Sequence, residues 1–293
     1  MKRVLITGIT GYIGLRLAQR LLPDWEVYGL VRTPVRTEYI GAFQGQIKLL
    51  FWDGSYTSVA RAVQECKPDI VYHLAAYYTG RHGEEDTPAL IQSNIVFGGY
   101  LLEAMVSCGC RNLIYANTVM CHYQGDEYRP LNLYAATKRA FSDLMAYYSD
   151  AGMLRTGTLV LSDTYGPGDH RPKILNLIKQ AIQTNETMAL SDGQQDYDLV
   201  HIDDVTAAFE LAGKQLLEGR WENQIFQVCS EYPISLKDTV EKLLEVNGLS
   251  FHGQWGKRPT PERDMRRAVR LYPPVPDWKP EVSLETGGDT FFS

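Results

Sequence analysis

The sequence predicts an α/β protein, a doubly wound parallel sheet with a smaller, irregular C-terminal lobe. Three observations predict it. Apolar runs rich in β-branched residues alternate with stretches of helical period through the first 165 residues, as in a parallel sheet covered by helices on both faces. A glycine-rich turn, Thr7-Gly8-Ile9-Thr10-Gly11-Tyr12-Ile13-Gly14, separates the first apolar run from the first helical stretch. Prolines crowd the last third of the chain, at Pro259, Pro261, Pro273, Pro274, Pro276 and Pro280, where regular elements thin out.

The first strand is expected over residues 3–7 and its helix over 11–22, where apolar residues recur three and four apart. Strands follow at 26–31, 47–51, 70–74, 112–116 and 156–161, with helices at 57–65, 91–107 and 133–149. Strands buried on both faces read as nearly continuous apolar segments, as these do. Residues 1–165 therefore read as a Rossmann-type domain. After Tyr165-Gly-Pro-Gly-Asp169 come a helix over 172–184, a turn at 191–196 and a helix opened by Asp203-Asp204. Residues 166–293 are expected to form mainly a substrate-binding lobe, with segments returning to the Rossmann domain. The cleft between such a lobe and the strand ends is where open α/β sheets bind ligands.

Composition narrows the classes of function. A hydrophobic content of 44% and a charged content of 22% are ordinary for a globular enzyme. The formal charge of -6 argues against a nucleic-acid partner, which would call for a basic face. Five irregularly spaced cysteines fit a reduced compartment rather than a disulfide framework. No metal-ligand spacing is evident, so no metal is expected. The first strand starts at residue 3, and no run approaches the roughly 18 apolar residues of a membrane span. The expectation is a cytoplasmic protein without a membrane segment.

Gly8, Gly11 and Gly14 lie between a strand and a helix, where glycine permits a tight turn, close backbone approach to a pyrophosphate and close helix packing. Thr10, Tyr12 and Ile13 share that turn. The turn therefore reads as a dinucleotide site. An acidic residue about 20 positions beyond the glycines would hold the ribose of NAD, and an arginine would accommodate the 2′-phosphate of NADP. Here Arg32 ends the second strand, Arg36 follows and no acid comes before Glu38. NADP(H) is therefore expected over NAD(H).

Tyr134-Ala-Ala-Thr-Lys138 puts a phenol and an ammonium four residues apart, on one helix face. A tyrosine with a pKa of about 10 donates poorly at neutral pH, and a neighbouring ammonium lowers that value. Tyr134 is the candidate proton donor, with Lys138 as its tuner and as a holder of the nicotinamide ribose. Thr118, near the end of the preceding strand, is the candidate hydrogen-bond donor to the substrate oxygen.

The G-x-x-G-x-x-G spacing, with the Tyr-Lys pair, resembles the extended short-chain dehydrogenase/reductase family, which acts on nucleotide sugars. The likeness spans nearly the whole chain, through Ser162-Asp-Thr-Tyr-Gly-Pro-Gly-Asp169, Asp198-Leu-Val-His-Ile-Asp-Asp204 and Asp277-Trp-Lys-Pro-Glu281. It implies that Asp53 contacts adenine and that Leu74, Ala75 and Ala76 pass beside the cofactor, with His73 positional rather than reacting. It also suggests that Asn94 anchors a helix-strand junction through water. Asn117-Thr118, the short connection to Tyr134 and Thr137-Lys-Arg-Ala-Phe141 are similar to the CDP-abequose and CDP-paratose synthases, which reduce a sugar C4 ketone.

Sugar 4,6-dehydratases of this family place an acidic pair after the threonine, whereas Val119 and Met120 stand here. C4 epimerases retain NAD and commonly carry an acid where Arg32 stands. A C4 ketoreductase consuming NADPH is the expectation, with an NAD-dependent epimerase and a non-catalytic dinucleotide sensor as alternatives. Cys121 and His122 could serve a second proton transfer or could simply pack a loop. Asn117, Arg171, Lys173, Arg258 and Arg263 are the candidate substrate residues, the last four for its pyrophosphate. A homodimer through the two long helices is expected, with Leu101, Leu102, Met105 and Leu144 available to face a second copy or the sheet.

Overall fold

The computed structural model describes residues 1–32, 41, 45–125, 128–288 and 290–291. Arg36 and Glu38 lie outside them. Seven parallel strands form the main sheet: β1 (Lys2–Thr7), β2 (Trp25–Arg32), β3 (Ile47–Trp52), β4 (Ile70–His73), β5 (Asn112–Thr118), β6 (Arg155–Leu161) and β7 (Gln224–Val228). Their spatial order is β7-β6-β5-β4-β1-β2-β3. The order reverses between β1 and β4, which sets a topological switch point over the glycine turn. Six of these strands were legible as apolar runs. The seventh, Gln-Ile-Phe-Gln-Val, sits at the sheet edge with its first two residues exposed, so its apolar signal is interrupted.

Helices α1 (Tyr12–Leu21), α2 (Tyr56–Cys66), α3 (Asp86–Ser107), α4 (Leu133–Asp150) and α6 (Ile202–Leu217) cover the two faces of the sheet, and α5 (Ile174–Gln183) and α7 (Leu236–Asn247) belong to the lobe. One face is packed by Leu17, Leu21, Phe209 and Leu216 from α1 and α6, the other by Val59, Leu101, Met105 and Phe141 from α2, α3 and α4. Helix α3 is 22 residues long with a mean hydropathy of 1.3 in its most apolar window, enough by length and composition to cross a membrane. Its apolar side is taken up by the core. Leu101, Leu102 and Met105 are fully buried, so of the four residues considered for a second copy only Leu144 faces outward.

The lobe has a separate core of Leu175, Ile178, Leu199, Leu236, Val240 and Leu243. Short strand pairs frame it: Asp163–Tyr165 with Leu199–His201, Asp196–Tyr197 with Ile234–Ser235, and Met188–Ala189 with Gly253–Gln254. The C-terminal segment then returns to the sheet. The buried Asp204 carboxylate accepts the backbone N–H groups of Glu281 and Val282, and the Trp278 indole donates to the Asp204 carbonyl.

Candidate active site

The glycine turn joins β1 to α1. Gly8 has φ +73, in the left-handed region, and a Cβ there would lie 2.6 Å from the Ala75 nitrogen. A Cβ on Gly14 would lie 2.2 Å from the Gly8 carbonyl oxygen. Only glycine lets the chain pass this close. Helix α1 begins without a side-chain cap or an acidic first turn, so its leading N–H groups are open to an anion. A dinucleotide diphosphate fits that cradle.

Beside it, Leu74 N donates to the Thr7 carbonyl at 3.2 Å and Ala75 N to Thr7 Oγ1 at 3.2 Å. This seats residues 74–76 along the turn. His73 is buried against Tyr115 and Phe141 and bonds Thr7 Oγ1 at 2.7 Å through Nδ1. Burial, and then Lys138, holds it neutral, with a pKa pushed down to about 3. It packs the strand end, as the resemblance implied.

Arg32 is exposed at the tip of β2, with Nη1 3.5 Å from Ser93 Oγ. Asp53 follows β3, where its Oδ1 accepts Ser55 N and Ser55 Oγ at 2.9 and 2.6 Å. Those bonds start α2 and pull the carboxyl down to about 2. The Tyr12 hydroxyl is buried without a hydrogen-bond partner among the described residues, and its ring lies 4.6 Å from the Arg171 guanidinium.

Thr118 closes β5. Its Oγ1 accepts Met120 N–H at 3.2 Å, which leaves the hydroxyl proton to be donated elsewhere. Tyr134 and Lys138 sit on the first two turns of α4, which is capped by the Asn132 side chain. The Tyr134 ring meets the Tyr78 ring edge-on at 4.9 Å. Lys138 is buried, with Nζ 4.3 Å from the centre of the Tyr115 ring. Electrostatics differ from the sequence expectation. Burial, with Cys121 and Tyr78 nearby, pushes the Tyr134 phenol up, against a smaller opposing pull from Arg171. Burial also drives the Lys138 ammonium down to about 7. For the phenol, desolvation is the largest of these effects.

The helix carrying this pair is braced by Asn94. Residues 92–96 form a π-turn within α3, and there the Asn94 Oδ1 accepts Tyr77 N–H at 2.7 Å. Its Nδ2 donates to the Tyr77 carbonyl and to Thr137 Oγ1 at 3.0 and 2.9 Å. These bonds tie α3 directly to the segment after β4 and to α4.

A cavity of about 330 Å³ lies between the strand ends and the lobe, lined by Val119, Met120, Asp163, Tyr197, Arg258 and Arg267 among others. Of the predicted pyrophosphate partners, only Arg258 presents an uncommitted guanidinium there among the described residues. Arg171 is held in a two-pronged pair by Asp169 at 2.7 and 2.6 Å and also donates to the Thr164 carbonyl. Lys173 pairs with Asp163. Arg263 spends its donors on the Pro130 and Leu131 carbonyls, at 2.7 and 2.9 Å, fixing the connection before α4. Asn117 faces Ser142, away from the cavity; alternation along the strand puts it opposite Thr118.

Cys121 is buried, its thiol pushed up to about 11 by desolvation, and it donates to the Ala135 carbonyl at 3.4 Å. His122 approaches Tyr272 Oη at 3.2 Å. Both pack the loop. Sequence reasoning missed Arg267, Gln195 and Asp264 in the cavity wall. Gln195 Oε1 and Asp264 Oδ2 are buried there without hydrogen-bond partners among the described residues. No motif marks these three, because folding alone brings them together.

A family model described as NAD dependent epimerase/dehydratase matches residues 4–229. The chain is 30% identical over 257 residues to a CDP-abequose synthase of Yersinia pseudotuberculosis, covering 86% of this chain and 87% of that one. It is 26% identical to a UDP-glucose 4-epimerase of Mycolicibacterium smegmatis, covering 97% and 96%. The fold matches a Thermus thermophilus UDP-glucose 4-epimerase solved with NAD, with a TM-score of 0.84 and 24% identity, covering 99% and 97%. Matched almost end to end through its seven-stranded sheet, the chain belongs to the NAD dependent epimerase/dehydratase family, the extended short-chain dehydrogenase/reductase enzymes of nucleotide-sugar chemistry.

Proposed function

We propose that this protein reduces the C4 ketone of a nucleotide-activated 4-keto-6-deoxy or 3,6-dideoxy hexose with NADPH. The observation that carries the reading is the set formed by Thr118 at the end of β5 and Tyr134 and Lys138 on the first two turns of α4, with Val119 and Met120 where water elimination would need acids. The likeness to a CDP-abequose synthase supports it. The division at residue 165 into a cofactor domain and a substrate lobe belongs to the same reading.

Gly8, Thr10, Gly11, Tyr12, Ile13 and Gly14 would hold the cofactor diphosphate, Arg32 its 2′-phosphate, Asp53 its adenine, and Leu74, Ala75 and Ala76 its flank. The nicotinamide, when bound, supplies the hydride. Tyr134, kept a neutral phenol by burial, protonates the oxygen that becomes a hydroxyl. Thr118 donates its free O–H to the same oxygen, and preorganised donors of this kind give the largest electrostatic gain. Lys138 would hold the nicotinamide ribose and support the phenolate once its proton has left. Arg258 and Arg267 bind the substrate diphosphate.

The enzyme would act in the cytoplasm as a homodimer through α3 and α4, whose exposed Ile91, Leu144 and Tyr147 supply apolar surface. NADPH absorbance followed with CDP-, dTDP- and GDP-4-keto-6-deoxy sugars, including the 3-deoxy CDP compound, tests the reading. Stoichiometric oxidation with one of them is expected. The likeness to a UDP-glucose 4-epimerase favours a second reading, an NAD-retaining epimerase. That reading gains if no sugar oxidises NADPH while epimers interconvert without net redox.

A further inference from the structure

We infer that Asn117 is a positioning residue, which sets the end of β5 and its Thr118 in register with the first two turns of α4. The inference rests on the proposed roles of Thr118, Tyr134 and Lys138. The Asn117 amide is bonded within the protein, and the lining of the 330 Å³ cavity does not include it. Its amide instead joins three chain segments. Oδ1 accepts the Thr118 backbone N–H at 2.9 Å and the Cys121 thiol at 3.5 Å. Nδ2 donates to Ser142 Oγ at 3.3 Å, and the Ser142 hydroxyl donates in turn to the Lys138 carbonyl at 3.3 Å. The Ala135 carbonyl, at 3.4 Å, is the alternative acceptor of the one Cys121 thiol proton.

The route through Ser142 ends on the backbone carbonyl of Lys138 itself, on α4. Thr118 is the last residue of its strand, and a 3-10 turn follows at once. Main-chain pairing therefore supports it from one direction only. The amide supplies the missing lateral tie. Tyr115, two residues earlier on the strand, donates to the Lys138 carbonyl at 3.0 Å and fixes the helix at one further point. Losing Asn117 leaves that anchor, so the fold survives while Thr118 gains freedom relative to Tyr134. A shift of about 1 Å between reacting groups can cost about a hundredfold in rate.

The test uses Asn117→Ala, Ser142→Ala and the double variant with NADPH and whichever 4-keto nucleotide sugar of the panel the wild type reduces. Asn117→Ala should lower kcat at least about tenfold with the sugar KM within about twofold. Ser142→Ala should lower kcat less, and the double variant should fall no further than Asn117→Ala, because the two act through one tie. A raised KM with kcat intact, or additive losses, would overturn the inference. Tyr134→Phe run alongside separates the two ideas: activity equal to wild type sinks the functional reading, whereas a dead Tyr134→Phe with a fully active Asn117→Ala sinks this inference alone. Hydrogen exchange of the unliganded protein gives a reading that needs no turnover. Asn117→Ala should speed exchange in residues 116–122 and 133–140, and unchanged exchange there would also overturn the tie.

Discussion

Replacing Lys138 with methionine keeps a long packed stem and removes the ammonium, which separates the cost of this residue from its use. Lys138 is 3% exposed, and burial holds its pKa at about 7 against about 10.4 in an unfolded chain. Below about pH 7 the lysine is charged in both states, and the folded state bears the whole penalty. A gap of about three units corresponds to about 4 kcal/mol. Between about pH 7 and pH 10 the unfolded chain binds more protons than the folded one, so stability rises with pH, by at most about 1.4 kcal/mol per unit. The contact with Tyr115 returns about 1 kcal/mol of this. Lys138→Met should therefore be more stable than wild type by about 3 kcal/mol near pH 6, with most of that difference gone by about pH 9. Urea unfolding at the two pH values measures it. A difference that does not change with pH, or a variant less stable than wild type near pH 6, would refute the assignment of a strained, buried ammonium.

Other substitutions probe the remaining parts of the site. Gly14→Ala should abolish NADPH binding in a fluorescence titration, because its Cβ would collide with the Gly8 carbonyl; retained binding would mean that the turn does not cradle the cofactor. Arg32→Asp should shift the coenzyme preference from NADPH towards NADH by at least about tenfold in kcat/KM, and an unchanged ratio would remove Arg32 from that role. Tyr134→Phe should lower kcat by about a hundredfold or more with NADPH affinity intact. Arg258→Ala and Arg267→Ala should each raise the nucleotide-sugar KM, whereas Arg263→Ala should act through stability, since its donors already hold the Pro130 and Leu131 carbonyls.

What the sequence made legible was local. The glycine turn and the Tyr134–Lys138 pair are encoded by spacing within one turn or one helix, and the six strands with nearly continuous apolar runs follow the same logic. The unread features depend on contacts that spacing does not carry. Arg171 reads as a free cation until its carboxylate, Asp169, is seen to hold one edge of its guanidinium with both oxygens. Arg263 bonds carbonyls more than 130 residues away. Asn117 and Thr118 are neighbours in sequence yet serve opposite faces of a strand. The tuning of Tyr134 failed as an expectation because the proximity of Lys138 was visible in the sequence, whereas the burial that neutralises both groups was not. The π-turn at residues 92–96 has no signature in the sequence at all, although it carries the Asn94 brace.

The central claim is that hydride from NADPH arrives at the sugar C4 while Tyr134 protonates the oxygen. Supplying NADPH deuterated at the nicotinamide C4 on the transferred face, then examining the sugar product by NMR, tests that claim most directly. Deuterium at the sugar C4, in amounts equal to the NADPH consumed and absent with Tyr134→Phe, is the predicted result. A product without deuterium, formed while NADPH is untouched and sugar epimers exchange, would contradict it.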